Sequence, residues 1–517
     1  MAYSRKTWLN LFFLAAFSCG VFATGLWSIP ALDRDESRFA QATKQMLTSG
    51  NYLDIYFQDT PRYKKPIGIY WLQALSVKLS NADLYNIGAY RLPSVLAMLA
   101  SVLLLYFAAR SHWEDKVALT SAILSAVAMG VVYEAHQARA DAAMLFTILA
   151  AQIVLMYVYV RSPTNLERYR IAFWGLLAIG TMIKGVVVFA FPVLTLGALC
   201  FWDRDRSLIR RMCSRISIAV YVCIALPWII YITAHSQGQF LQESLVKDFW
   251  YKTISVQESH RGFPGYYIVV MLLFFWPGAM LVPQALHMLW AGRTARSIRF
   301  LYAWILPCWL LFECVPTKLP HYILPLYPAL AMLCAVYLQH PVDATGRKWS
   351  QLIKKIWCCL WLIASLVIVT APVWLSYAGF FTVRPFHIAM TCMLSGGIVA
   401  ALYYFLRHQP KRAMVSAVVT ASLAWPFLLN SVVPHMERIW VTRHILQHIT
   451  PGDKLFSAGY SEPSLVFTHP NRVEFGDVAG AAHALCKGGV DVALIPAENN
   501  DAFINAANAQ LCHPQLV

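Results

Sequence analysis

Charge is what this sequence has little of. Only 13% of its 517 residues are Asp, Glu, Lys or Arg, and 26 acids face 42 bases. Soluble domains carry about 25% charged residues. With 58% of the chain hydrophobic, a soluble globular class is excluded, and apolar runs long enough to cross a bilayer recur along most of its length. Internal repeats, low-complexity tracts and flexible linkers are also missing, and no cysteine spacing carries a metal signature. Most of the twelve cysteines (Cys19, Cys223, Cys334 and Cys392 among them) lie in apolar runs, where Cys acts as a small hydrophobe. Cys358 and Cys359 are adjacent in one such run, whereas Cys486 and Cys512 lie in the polar tail and can form a disulfide. A net charge of +16 invites a nucleic-acid reading, but the bases sit in short turns between apolar runs, as the positive-inside rule requires. Nucleic acid is excluded as a partner.

The turns set a topology. The first apolar run, roughly 8–30, is too long for a signal-peptide core and lacks an A-x-A-like cleavage site, so it reads as a retained signal anchor. Placing Arg5 and Lys6 inside puts about 31–88 outside. Spans follow at roughly 89–110, 117–134 and 142–160, then a hairpin with Lys184 at its outer tip and a span to about 234. The basic turn "WDRDRSLIRRMCSR" (202–215) and those at 292–299, 346–355 and 407–412 all fall inside on this count. The expected fold is a polytopic all-α membrane protein of about thirteen spans over residues 1–435, followed by a small outer α/β domain at 438–517. In that domain "DKLFSAGY" and "VDVALIPA" read as strands, "AAHALCKG" as a helix and "SEPSLVF" as a turn into a further element.

The charges that are not basic anchors gather on the outer side. The first loop holds Asp35, Glu36 and Arg38, then Arg62, Tyr63, Lys64 and Lys65 in "PRYKKPIGIYW". Glu134, His136, Arg139 and Asp141 occupy the second loop, Lys184 the third, His260 and Arg261 the fourth, and Lys318, His321 and Tyr322 the fifth. A charge near the bilayer centre costs about 2.5–3.5 kcal/mol on insertion scales, so charges kept at span ends point to a watery cavity or ligand path. Two acids among many bases suit a phosphate-bearing substrate. An acid there can also serve as general base or steady positive charge on an anomeric carbon. Plainer readings stand beside these. Asp35 and Glu36 can cap the helix that follows them, Lys64 and Lys65 can snorkel, Asp141 can pair with Arg139 or Lys184, and His260, Lys184 and Lys318 can be ordinary loop and interface residues.

In order, "RDESRFAQATKQMLTSGNYLDIYFQDTPRYKKPIGIYW", "ARADAAML", "IGTMIKGVVVFAFPVL" and "KLPHYILPLYPALAML" resemble the membrane glycosyltransferases of the GT-C superfamily. Within it the likeness is greatest to the 4-amino-4-deoxy-L-arabinose lipid A transferases and the protein O-mannosyltransferase clan. The resemblance implies two outer-face helices in the first loop, a periplasmic C-terminal domain, and inverting transfer of a sugar from a polyprenyl-phosphate donor. It assigns catalysis to Asp35 with Asp141, and donor phosphate to Lys65 and Lys184; Tyr322 matches the tyrosine of the fifth loop. Arg38, Arg62, Tyr63, Lys318, His260 and Arg261 complete the substrate-binding set. The chain departs from the aminoarabinose pattern at Gln41, where a glutamate is usual, and at Lys64, where a carboxylate gives way to a base. The family's fourth-loop histidine falls near Trp250, with His260 as a displaced substitute. These departures leave room for a neutral, N-acylated or acidic sugar. They assign no metal ligand and no cofactor, with a divalent metal left as an open alternative.

The expected activity is therefore sugar transfer to lipid A or another outer-leaflet glycolipid, in a bacterial inner membrane, with the site facing the periplasm. A protein O-glycosyltransferase shares the same donor machinery. A non-enzymatic flippase for lipid-linked sugars is the other alternative, but it should show repeated halves and interrupted midplane helices, and the charges here crowd one face instead.

Overall fold

In a computed structural model, which describes residues 5–250, 262–340 and 348–515, the apolar runs fold as helices. Their interiors lack the solvent that would compete for backbone hydrogen bonds, so helices are the available solution. Among the described residues nine helices are long and apolar enough to cross a membrane. A tenth forms if α5 (Asp115–Val127) and α6 (Met129–Ala135), bent by 59°, make one span. The count of thirteen further requires α1 (Arg5–Phe22), a division of the continuous 167–203 stretch near Lys184, and the broken segment around 266–289. At the bend of α5 and α6, the Met129 N–H donates to the Trp276 carbonyl (3.1 Å), which keeps the break satisfied.

The basic turns meet at one end of the bundle. Arg161 donates to the Ser111 carbonyl, Arg170 Nε to the Arg211 carbonyl (2.9 Å), Arg110 pairs with Asp115 (2.6 Å) and Arg299 with Asp203. At the opposite end lie α2 (Asp35–Ser49) and α3 (Gly68–Ser80), which precede α4 (Ile87–His112). Gly50, in the left-handed conformation, ends α2 by donating to the Met46 carbonyl. Thr43 of α2 donates to Gln73 of α3 (2.7 Å), and Gln73 donates to the Ala138 carbonyl in the next loop (2.9 Å), with all three residues buried. Gly68 brings α3 against α8 (Glu167–Lys184). A β-carbon there would lie 2.7 Å from the Met182 carbonyl oxygen, so only glycine permits the approach.

The chain after the last apolar helix builds a small α/β unit. After the short hairpin β1 (Tyr56–Phe57) and β2 (Thr60–Pro61), strands β3 (Leu455–Ala458), β4 (Val473–Gly476) and β5 (Val492–Leu494) form a parallel sheet in the order β4-β3-β5. β3 lies in "DKLFSAGY" and β5 in "VDVALIPA"; the helix Val478–Cys486 covers "AAHALC" and the helix Pro463–Thr468 begins in "SEPSLVF". β4 has no counterpart in the sequence reading, its inward face being a single buried residue, Val473. Cys486 and Cys512 form a disulfide, as the sequence allowed. This unit grips the first loop. Ser464 donates to Asp33, Lys44 Nζ to the Phe467 carbonyl (2.7 Å), Gln58 to the Val473 carbonyl (3.3 Å), and Arg472 pairs with Asp59 (2.6 Å).

Candidate active site

The site grows from the start of α2. Arg34 precedes the helix at φ +63°, a conformation that strains a non-glycine residue, and places Asp35 and Glu36 in the first turn. The N-cap residue Arg34 makes no side-chain capping bond, and Asp35 and Glu36 stand in the first turn, where carboxylates suit the helix dipole. Glu36 also enters the protein and meets Arg91 of α4 with both oxygens at 2.8 Å; neither side chain has any exposure. The same carboxylate accepts the Leu32 and Ala138 amides (2.9 and 2.8 Å). Arg91 also donates to the carbonyls of Leu26, Ile29 and Pro30 (3.0, 2.7 and 2.9 Å). With its partners so complete, this buried pair avoids the usual desolvation loss and joins the end of α1, α2, α4 and the second loop. His136 adds a tie, its ring nitrogens at 2.7 Å from the Val132 carbonyl and 2.8 Å from that of Thr24.

Asp35, one residue earlier, stays accessible at 59% side-chain exposure, with Arg38 3.8 Å away. Its charge reaches Tyr70, Arg139 and His321. Behind it the buried charges are paired. Asp141, which opens α7 (Asp141–Arg161), holds Lys184 from the end of α8 and lies 3.7 Å from His321 Nε2. Arg139 pairs with Glu134 at 2.5 Å and lies over the Tyr133 ring. Of the two pairings open to Asp141, Lys184 is the one made. Tyr322 sets its ring edge-on to His321, 5.2 Å between centroids.

The loop from β2 into α3 supplies further basic groups. Arg62 is buried with its guanidinium over the Phe39 ring (5.2 Å) and beside Tyr70, and its Nε has no protein partner. Lys65 is half-buried and Lys64 exposed on the same turn. Tyr63 turns away into a separate contact, edge-on to Phe240 (6.4 Å) and beside Asp54; burial first, then the Asp54 carboxylate, raises its hydroxyl pKa. Asp54 in turn meets His235 at 3.2 Å. Lys318 is neutralised by Glu313 (2.9 Å), close to Tyr267 and the Phe263 carbonyl. His260 and Arg261 lie outside the described residues. Among the described residues no group of three or more His, Cys, Asp or Glu is arranged to hold a metal ion, so no chemical step is derived through one.

Sequence reasoning overlooked Arg91. Its signal was present: an arginine inside an apolar run, two residues before Pro93, is a charge kept at a cost. Among the described residues the group consists of the exposed Asp35 carboxylate, the buried pairs Asp141–Lys184 and Glu134–Arg139, the buried Arg62 and the half-buried Lys65. Such an arrangement suits a phosphate leaving group and a nucleophile approaching from solvent.

Comparison with known proteins gives a consistent likeness. Residues 64–231 match the family model for dolichyl-phosphate-mannose-protein mannosyltransferase. The chain is 30% identical to undecaprenyl phosphate-alpha-4-amino-4-deoxy-L-arabinose arabinosyl transferase 1 of Pseudomonas fluorescens over 60% of its own length, a match that spans just over half (55%) of that relative. It is 26% identical to the corresponding transferase of Pseudomonas paraeruginosa over 86% of this chain and 82% of that one. The fold matches the crystal structure of ArnT from Cupriavidus metallidurans bound to undecaprenyl phosphate, with a TM-score of 0.72, 19% identity, and coverage of 91% of this chain and 86% of the other. The apo state of the same protein matches at a TM-score of 0.71 over 94% and 92% of the two chains.

Proposed function

We propose, on the premise that this chain is a multi-pass membrane protein of the GT-C fold, that it is an inverting glycosyltransferase. It moves a sugar from a polyprenyl-phosphate donor to lipid A or another outer-leaflet glycolipid. The observation that carries this reading is the accessible Asp35 set against the buried Asp141–Lys184–His321 group. The names of the relatives, transferases acting from undecaprenyl phosphate-linked aminoarabinose, support it, as does undecaprenyl phosphate bound in the structural neighbour.

The donor phosphate lies against Lys65, Arg62 and Lys184. Asp141 fixes the Lys184 ammonium until the phosphate arrives, and Lys184 then stabilises the negative charge released as the glycosidic bond breaks. If the acceptor is a phosphate, it is already a nucleophile at neutral pH, and Asp35 orients it and balances charge on the anomeric carbon. If the acceptor is a hydroxyl, Asp35 takes its proton as general base. Gln41 and Lys64, at positions where a carboxylate is usual, favour a sugar without a free amino group. The compartment that fits is the bacterial inner membrane with the site facing the periplasm. The Cys486–Cys512 disulfide supports that side, because disulfides persist in oxidising compartments.

Mass spectrometry of lipid A from cells carrying the wild-type chain, the Asp35→Asn variant or no copy tests the reading. A sugar-sized addition with the wild type alone is expected. Unchanged lipid A in all three would discard that acceptor and direct the assay to proteins and other glycolipids. Full modification by Asp35→Asn at equal expression would remove Asp35 from catalysis.

A further inference from the structure

Three consecutive residues ahead of the basic loop are fastened to two different helices. The Tyr52 carbonyl accepts the indole N–H of Trp71 in α3 (2.7 Å), and the Leu53 carbonyl accepts that of Trp228 (2.9 Å). Trp228 belongs to the span Arg215–His235. The last residue of that span, His235, brings its Nε2 to 3.2 Å from Asp54 Oδ2; the Asp54 side chain is 1% exposed and that of His235 49%. Asp54 Oδ1 accepts the Ile55 amide (2.8 Å), whereas Oδ2 receives no hydrogen bond among the described residues. A carboxylate so far out of water needs an opposite charge, and the His235 imidazole stands where it supplies one. The Tyr56 and Tyr63 hydroxyls lie beside the same carboxylate, and Glu243 adds a second acid to the neighbourhood, which favours the protonated imidazole further.

We propose that Asp54 is a positioning residue for the donor: through His235 it fastens the basic loop to the span that also packs against the Lys184 helix. This rests on the function proposed above and adds to it a residue that touches neither substrate nor reacting atoms. Two links carry the position to the site. On one side, the Ile55 carbonyl accepts the Arg62 amide (2.8 Å), at the base of the hairpin β1–β2 whose second strand runs into Arg62, Lys64 and Lys65. On the other, Tyr221, in the same span as His235, has its hydroxyl 3.3 Å from that of Thr181, one turn before Lys184 at the end of α8. The span Arg215–His235 therefore touches both sources of positive charge that a donor phosphate would meet. The sign of the effect separates this role from a simpler one. As one more negative charge near the phosphate, Asp54 would repel the donor, and weakening its hold on the loop would cost no affinity. As a positioning residue, it strengthens binding although its own charge opposes it.

The test uses the full chain in phospholipid nanodiscs, with undecaprenyl phosphate as the probe. Its equilibrium binding is compared among wild type, His235→Ala, His235→Lys, Asp54→Asn, and Asp54→Asn combined with each His235 change. Sugar addition to lipid A is read in cells carrying the same chains. The His235 side chain is half exposed, so its replacements keep the fold even if Asp54→Asn does not, and Tm is checked for each protein. His235→Ala should weaken binding about fivefold, and His235→Lys, which restores a cation facing Asp54, should recover it. Once residue 54 is neutral, neither His235 change should have a further effect. Unchanged or tighter binding in His235→Ala would overturn the proposal. So would an equal gain from His235→Lys in the Asp54→Asn background, which would mark a long-range effect of charge. Binding that follows the expected pattern while lipid A and other acceptors stay unmodified would leave Asp54 in its role and remove the function. Sugar addition by the wild type, with binding indifferent to every His235 change, would do the reverse.

Discussion

Two neighbouring acids, Asp35 and Glu36, have opposite fates, and burial decides between them. Glu36 has no exposure and a complete set of partners, so it is a structural anchor; Asp35 faces solvent. Arg91→Met leaves the Glu36 charge buried and unpaired, which costs about 3–5 kcal/mol and should appear as a clear drop in Tm of the detergent-solubilised protein. Asp35→Asn should leave Tm unchanged while abolishing transfer, because its side chain carries no packing. The same comparison shows what the sequence could tell. The spacing of charges marked both acids as candidates, but their separation into anchor and reagent depends on Arg91, 55 positions away. Lys318 is a similar case, since its partner Glu313 lies in a run that reads as membrane span. The Asp141–Lys184 pair was one of two that the sequence left open, because Arg139 and Lys184 both sit at span ends on the same side as Asp141.

At the scale of elements, two contacts hold the outer-face helices in place, Gly68 of α3 against α8 and Lys44 of α2 against the C-terminal unit. Gly68→Ala would drive a β-carbon into the Met182 backbone, which no side-chain movement relieves. A cost of about 1–3 kcal/mol and a higher donor KM are expected, since Lys65 and Lys184 flank that contact. The second contact is Lys44, packed under the Tyr85 ring (4.4 Å) and bound to the Phe467 carbonyl. Burial pushes its pKa down to about 8, with Asp83 opposing. The folded state therefore holds fewer protons than the unfolded one between that pKa and the ordinary lysine value of about 10.4. The burial penalty is complete below pH 8 and is relieved as pH rises through this window. Protease resistance of the C-terminal unit should increase from pH 7.5 to pH 10 in the wild type, relative to a Lys44→Met variant. Helices α2 and α3 follow from the first-loop resemblance. Their grip on the far α/β unit does not, because Asp33, Lys44, Gln58 and Asp59 read as ordinary loop and helix-face residues until Ser464, Phe467, Val473 and Arg472 are placed beside them.

For the molecule as a whole, the apolar runs made the membrane class and the general course of the chain legible. The positive turns suggested which ends belong together, and those around Arg110, Arg161, Arg170, Arg211 and Arg299 make contacts with their neighbours at one end of the bundle. Span number is harder to read, because the bend between α5 and α6, the continuous 167–203 stretch and the broken segment near 266–289 blur where one crossing stops. The disulfide of the C-terminal unit closes a 26-residue separation. Replacing Cys486 and Cys512 by serine should cost about 3 kcal/mol, seen as faster cleavage of that unit in the full chain, with the membrane helices unaffected. The contacts between this unit and the first loop also bear on the order of events during synthesis. Asp33 and Lys44 find their partners 431 and 423 residues downstream. At about 5–20 residues per second, a ribosome needs on the order of 20–90 s to supply them. Throughout that interval the first loop lacks the partners that hold it against the C-terminal unit. The last part of the chain to be translated thus completes the first part that meets substrate, and a chain interrupted before residue 464 should insert normally yet transfer nothing.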